Sequence, residues 1–211
     1  MGALQLRAID HRVASRLADQ QPYDVVVTDK MSVADAVGAI LSNSGPGKLS
    51  RLTLISHGYG VLTEGNAAPA HAVSVLLPGP ANASRPAANV SRIYGGYGLE
   101  FGRDNVDLAT VASFGRLRGR FTDGGMIVVF GCAAAERGPY LGEQLSGDGP
   151  ALMRALARFA GAPVRASDSL QDVPMNWYLG TADRGAWRGR TFVFLPDGRQ
   201  VDESLLAISV Y

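Results

Sequence analysis

The only cysteine of the chain lies at the end of an apolar segment. The stretch MIVVFGCAAAERG (126–138) is apolar up to Gly131, and Cys132 follows directly. Because an unperturbed thiol is mostly protonated at neutral pH, a nucleophilic cysteine needs a basic or cationic neighbour. LTLISHGYG (52–60) offers one, since a second apolar run ends at His57 and imidazole titrates near neutral pH. These two segments indicate a cysteine–histidine pair for nucleophilic catalysis.

Gly58 adds a further element to such a site. A backbone without Cβ lets a substrate carbonyl approach closely, and the N–H groups of Gly58 and Cys132 can together form an oxyanion hole. Each residue also has a structural alternative, because a single cysteine is often a small buried hydrophobic residue and a histidine can simply cap a strand. The joint pattern, in which two apolar strands end in His-Gly and Gly-Cys, favours catalysis.

Outside the segment 60–103, short apolar or β-branched runs predict six strands. They lie at 25–27, 52–56, 126–130, 163–166, near 177–179 and at 191–195. Amphipathic segments separate several of them, so the sequence predicts an α/β fold with a mostly parallel sheet and helices on both faces, a three-layer sandwich. Residues 1–22 are mixed and polar, and we interpret them as a short helix or a loose arm.

Three segments have the pattern of helices. The first begins with a capping-box-like pattern at Ser32, and apolar residues recur at helical spacing up to residue 41. A second helix is predicted over 104–116. The clearest begins at DGP (148–150), with proline in its first turn, and ends at Gly161.

Polar or reactive residues stand one or two positions after four of the predicted strands. They are Asp29, His57, Cys132 and Asp168. Ligands bind beyond the carboxyl ends of the strands in parallel sheets, and neighbouring parallel strands end at the same edge. We therefore expect these four residues along one rim of the sheet, with His57 in reach of the thiol.

The chain of 211 residues is interpreted as one domain, as its length favours. The core covers about residues 23–168, and further strands follow at about 174–211. Residues 60–103 are rich in Gly, Ala, Pro and Asn, and we interpret them as a long insertion with hairpin character. Loops of this length in compact domains are often functional.

Composition argues against several classes of partner. Lys+Arg number 20 against Asp+Glu 19, for a net charge of +1, so nothing electrostatic points to nucleic acid or an anionic membrane. One cysteine excludes an internal disulfide, and the three histidines lack metal-ligand spacing, so we expect no metal and no cofactor. Neither a signal peptide nor a run of about 18 apolar residues is visible. We expect a cytoplasmic protein, and export without a cleaved signal stays open.

The two segments that end at His57 and Cys132 resemble the signature blocks of the caspase-like cysteine peptidases of clan CD. The closest resemblance is to a bacterial caspase-like domain of poorly defined function. Its pattern is also similar to YDVVVTDKMSVADAV (23–37) and APVRASD (162–168), so the resemblance covers about residues 23–168. It implies a caspase-like fold, with the long insertion placed after the His-Gly strand.

By this resemblance the chain is a cysteine endopeptidase that acts on a peptide or protein. Cys132 is the nucleophile, His57 is the base, and the N–H groups of Gly58 and Cys132 bind the oxyanion. In some relatives an acidic residue binds a basic P1 side chain, which makes Asp168 or Asp172 a candidate for charge-assisted hydrogen bonds to Arg or Lys.

Several alternatives stay open. Asp168 can instead cap a turn, and Asp29 is a further candidate for substrate binding. The same fold can serve as a catalytically silent or latent binding or regulatory module, and the same dyad can support a small-substrate amidase or acyltransferase. The sequence does not determine the oligomeric state.

Overall fold

The structure, a computed structural model, describes residues 3–14, 21–22, 24–59, 61–62, 98–131, 133–137, 145–146, 148–169, 187 and 189–203. The strands within these ranges are β1 (Leu4–Asp10), β2 (Val25–Val27), β3 (Leu49–Ile55), β4 (Gly58–Tyr59), β5 (Val61–Leu62), β6 (Gly98–Leu99), β7 (Phe121–Phe130), β8 (Leu145–Ser146), β9 (Val164–Ser167), β10 (Thr191–Phe194) and β11 (Gln200–Asp202). The helices are α1 (His11–Ala14), α2 (Val33–Ser44), α3 (Gly149–Ala160) and a 3-10 helix over Val111–Leu117.

Seven of these strands form one sheet, in the order β2-β1-β3-β7-β9-β10-β11. The first five in that order pair in parallel, whereas β10 is antiparallel to both β9 and β11. Two small antiparallel pairs, β4 with β6 and β5 with β8, lie outside this sheet. The prediction of an α/β fold with a mostly parallel sheet is therefore confirmed.

Alternate residues along the central strands point to opposite faces of the sheet, as the geometry of a strand requires. Ala8, Leu54 and Val129 belong to the large hydrophobic core, to which α2, α3 and the 3-10 helix contribute. Ile9, Ile55 and Phe130 belong to a smaller cluster on the other face. Within the described residues, α1 and Trp187 are what covers that second cluster.

Both of the predicted helices with sequence caps begin where the caps stand. The Asp35 N–H donates to Ser32 Oγ at 3.1 Å, and the Ser32 N–H donates back to Asp35 Oδ2 at 3.0 Å, which completes a capping box. At the start of α3, Asp148 Oδ1 accepts from the Ala151 N–H at 2.9 Å. Gly161 ends this helix with a φ of 66°, a left-handed conformation that glycine adopts without strain.

The interpretation of residues 1–22 as a short helix or loose arm is wrong for their first half, because β1 is an inner strand of the sheet, second from one edge. It lies between β2 and β3 and pairs in parallel with both. Leu6 and Ala8 face the large core while Ile9 faces the smaller one. The polar Arg7 is compatible with this position because it is only partly buried and forms an ion pair with Asp24.

The predicted helix over 104–116 is also wrong in its first half, where the chain forms turns. Asp107 Oδ1 accepts from the N–H groups of Ala109 and Thr110, at 2.8 and 3.0 Å. Such local side-chain bonds compete with helical backbone bonds, so a 3-10 helix begins only at Val111.

Some predictions concern residues that the structure does not describe. The strand expected near 177–179 and most of the 60–103 segment lie outside the described residues. Among the helices that are described, none is long and apolar enough to cross a membrane.

Candidate active site

The end of β3 brings His57 to the carboxyl rim of the sheet, beside the end of β7. Ile55 pairs with Phe130 in parallel register, and the Ser56 N–H donates to Phe130 O at 3.2 Å. Two residues beyond this pair, the sequence has His57 after one strand and Cys132 after the other. Cys132 itself lies outside the described residues, while its neighbour Gly131 is described and buried.

Gly131 occupies a crowded position where a side chain would force its neighbours to shift. A Cβ built on it would lie 2.9 Å from Leu99 Cδ2 and 3.4 Å from Ser56 O. Carbon atoms pack at about 3.5–4.0 Å, so the contact with Leu99 would be too close. The glycine that precedes Cys132 therefore lets the segment 98–102 pack directly on the ends of β3 and β7.

On the other side of Cys132, Ala133 has a left-handed backbone with a φ of 47°. This conformation is uncommon for a residue with a side chain, and such strained residues persist where surrounding bonds hold them. The N–H of Ala133 donates to Ser169 O at 2.9 Å, and that of Ala135 donates to Ser167 O at 2.8 Å. The end of β9 thus fixes the turn that follows Cys132.

Gly58 is buried and opens β4, which pairs with β6 in antiparallel register. Gly58 stands opposite Leu99, and the neighbouring bond runs from the Glu100 N–H to His57 O at 2.7 Å. In an antiparallel ladder this pattern marks Gly58–Leu99 as a non-hydrogen-bonded pair, so the Gly58 N–H is directed away from β6. The pairing with β6 therefore does not use the donor that the predicted oxyanion hole needs.

Asp168 follows β9 directly, as the sequence predicted, but its carboxylate is bound within the chain. It accepts hydrogen bonds from the N–H and the Nε of Arg190, each at 2.9 Å, and from Ser169 Oγ at 3.1 Å. The carboxylate side chain is 11% exposed, whereas that of Arg190 is 70% exposed. A second carboxyl is close by, since burial first and the charge of Asp168 second raise the pKa of Glu136.

Asp29 does not lie beside His57, because β1 separates β2 from β3 in the sheet. Asp29 and His57 nevertheless follow strands that end at the same rim, because β2, β1 and β3 pair in parallel. Asp29 is exposed at the edge strand, and its charge contributes to the raised pKa of Arg12. The other substrate-binding candidate, Asp172, lies outside the described residues.

The acidic residue at the end of the strand beside β3 is Asp10, which sequence reasoning missed. Its carboxylate is fully buried and accepts hydrogen bonds from Arg12 Nε and Nη2, at 2.5 and 2.7 Å, and from the Gly102 N–H at 2.8 Å. The signal in the sequence was the run LQLRAID, in which an alternating strand pattern ends in an aspartate.

No group of three or more His, Cys, Asp or Glu side chains within the described part of the chain is placed to hold a metal ion. Comparison with protein-family models, with curated proteins and with solved structures gave no match for this chain.

Proposed function

We propose that this chain is a caspase-like cysteine endopeptidase in which Cys132 is the nucleophile and His57 is the base. The observation that carries the proposal is the parallel register of β3 and β7, which pairs Ile55 with Phe130. His57 lies two residues after Ile55, and Cys132 lies two residues after Phe130. The proposal includes the finer fold, a caspase-like three-layer sandwich.

In this mechanism, His57 takes the proton of the Cys132 thiol, and the thiolate attacks the carbonyl carbon of a peptide bond. The N–H groups of Gly58 and Cys132 donate to the oxyanion of the tetrahedral intermediate. His57 then gives its proton to the leaving amine, and a thioester with the acyl part of the substrate is formed. Water, which loses a proton to His57, hydrolyses the thioester and releases the carboxylic acid and the thiol.

Two local features support a built site at this position. The turn after Cys132 is held in a strained conformation at Ala133 by a hydrogen bond to Ser169 O, and such strain is concentrated at functional sites. The Ala133 N–H is already used in that bond, whereas the direction of the Gly58 N–H leaves it suited to an oxyanion.

We also propose that the enzyme prefers a basic P1 residue, which Asp168 would bind. A substrate arginine would take the place of the Arg190 guanidinium, which can move out into solvent because its side chain is 70% exposed. Glu136 adds a second carboxyl close to Asp168. A guanidinium binds such carboxylates through charge-assisted hydrogen bonds.

The test is covalent labelling with peptide acyloxymethyl ketones that carry arginine or norleucine at P1. We expect the wild-type chain to be labelled at Cys132, faster by the arginine probe, and Cys132→Ala to remain unlabelled. His57→Ala should slow labelling by about 100-fold or more, as the loss of a general base does. Iodoacetamide under denaturing conditions serves as the control that the thiol is present and reduced.

Three results would separate the alternatives. Slow labelling of the wild type that is unchanged in His57→Ala would contradict the dyad and favour a silent binding module. Rapid turnover of small amides or esters with no peptide labelling would favour the amidase or acyltransferase. Equal rates for the two probes would leave the peptidase in place and remove the basic P1 preference.

A further inference from the structure

We propose that Asp10 and Arg12 are positioning residues that hold His57 in place through the segment Gly98–Gly102. This inference rests on the proposed function, because it assigns a role to residues that touch neither the substrate nor the thiol. Asp10 and Arg12 instead bind Gly102, and the segment Gly98–Gly102 contacts the backbone of His57 and Gly58.

The location of Asp10 makes this possible. It is the last residue of β1, and Ile9 of that strand pairs with Ile55 of β3. Asp10 therefore ends its strand one position past the last pair, while His57 follows its own strand by two positions. The two residues leave the sheet at the same rim, on neighbouring strands.

Together, Asp10 and Arg12 bind both the N–H and the carbonyl oxygen of Gly102. The Gly102 N–H donates to Asp10 Oδ2 at 2.8 Å, and Arg12 Nη2 donates to Gly102 O at 3.1 Å. Gly102 has a φ of 68°, and a Cβ there would collide with Met31 O. This position therefore requires glycine, and its two polar backbone atoms are bound by side chains that follow β1.

From Gly102 the connection to His57 is short. Two residues earlier, the Glu100 N–H donates to His57 O at 2.7 Å. One residue before that, Leu99 pairs with Gly58, the residue that follows His57. Movement of the segment 98–102 would therefore move the carbonyl group of His57 and the backbone of Gly58 that follows it.

The charges of the cluster favour a fixed arrangement. Burial alone would lower the pKa of Arg12, but the hydrogen-bonded carboxylate of Asp10 and the charges of Glu100 and Asp29 raise it. Arg12 therefore stays protonated, and Nη1 also lies 3.5 Å from Glu100 Oε2. A planar guanidinium that binds one carboxylate through two nitrogens has little freedom to turn.

The same strand offers a matched control pair. Arg7 donates from Nε and Nη2 to Asp24, at 2.8 and 2.6 Å, and Asp24 also accepts from the Gln21 N–H. Asp24 is almost as buried as Asp10, with side-chain exposures of 4% and 0%. This second arginine–aspartate pair joins β1 to the residues before β2, and its arginine lies three positions earlier in β1 than Asp10.

The experiment measures the rate of Cys132 alkylation by iodoacetamide as a function of pH in the folded, full-length chain. A thiol paired with imidazole reacts below the pH at which an unperturbed thiol, with a pKa of about 8.5, becomes reactive. We expect Asp10→Asn to move the midpoint of the curve upward and to slow alkylation at pH 6.5 by about tenfold, since small displacements of a catalytic group have effects of this size. Asp24→Asn should leave the midpoint unchanged and the alkylation rate at pH 6.5 within about twofold of wild type.

Arg12→Lys is the second variant, in case Asp10→Asn does not fold. It keeps the positive charge but loses the two-nitrogen contact, so we expect the same upward shift. A wild-type curve in both folded variants, together with a shifted curve in His57→Ala, would overturn the positioning role and leave the peptidase proposal intact. A curve that His57→Ala does not change would overturn both.

Discussion

Replacing Gly131 by alanine tests the packing that brings the segment 98–102 against the strand ends. The new Cβ would lie 2.9 Å from Leu99 Cδ2 and 3.4 Å from Ser56 O. Since carbon contacts are comfortable at about 3.5–4.0 Å, Leu99 would have to retreat by roughly 0.6–1 Å. Leu99 is fully buried, so the retreat would disturb its other neighbours.

The expected magnitude follows from the cost of overpacking a core. Inserting a methyl group where a buried side chain must shift costs about 1–3 kcal/mol, and we expect Gly131→Ala to lower the free energy of unfolding by about 1–2 kcal/mol. The matched control is Gly38→Ala in the interior of α2. Its Cβ would meet Arg116 Nη1 at an ordinary 3.6 Å, so the better helix propensity of alanine should stabilise the chain by about 0.5–1 kcal/mol.

A double-mutant cycle with Leu99→Ala isolates the contact. Leu99→Ala alone should cost about 2–5 kcal/mol, but it also removes the atom that the new methyl group would strike. Urea unfolding should therefore show that the double variant is at least about 1 kcal/mol more stable than the sum of the single changes predicts. If the two changes add within about 0.5 kcal/mol, the packing of Leu99 on Gly131 is not as described.

Two further predictions concern the second half of the chain. Asp148→Ala should lower the free energy of unfolding by about 1 kcal/mol in urea, because the cap on the Ala151 N–H at 2.9 Å is lost. Asp148→Asn should stay near wild type, since asparagine caps equally well. Equal losses in the two variants would refute the cap. Burial, and then the charge of Asp168, raises the pKa of Glu136 above its ordinary 4.5. The folded state therefore loses stability relative to the unfolded state as pH rises from about 4.5 through the raised pKa, because Glu136 ionises more readily in the unfolded chain. Glu136→Gln should therefore increase the stability at pH 7, by less than about 1 kcal/mol because the carboxyl is partly exposed. Thermal unfolding should show no gain near pH 4. A gain of equal size at both pH values would refute the raised pKa as the cause.

Elements that local chemistry specifies could be predicted from the sequence. The capping box at Ser32 and the cap at Asp148 are bonds between residues three apart, so a short stretch of sequence contains both partners. The β-branched run of β2 and the apolar runs of β3 and β7 are likewise local patterns. The position of His57 just after the end of β3 follows from such a local pattern.

Elements that depend on distant partners could not be predicted in this way. β1 contains Arg7, which reads as polar until its partner Asp24 is known. The role of Asp10 depends on the N–H of Gly102, 92 residues away in the chain. Because β1 was not predicted, the aspartate at its end, Asp10, was not predicted either.

The position of β1 also decides which side of the proposed dyad can select a substrate. On the β1 side, the acidic residue is fully buried and is neutralised by Arg12, which is only 15% exposed, so neither partner is exchanged easily for a substrate group. On the β9 side, Asp168 is neutralised by Arg190, which is 70% exposed. Because the Arg190 side chain is mostly in solvent while Asp168 is 11% exposed, we expect a substrate guanidinium to replace Arg190 more easily than Arg12. We therefore expect a preference for basic residues to depend on Asp168, and the proposed role of Asp10 is to hold the backbone.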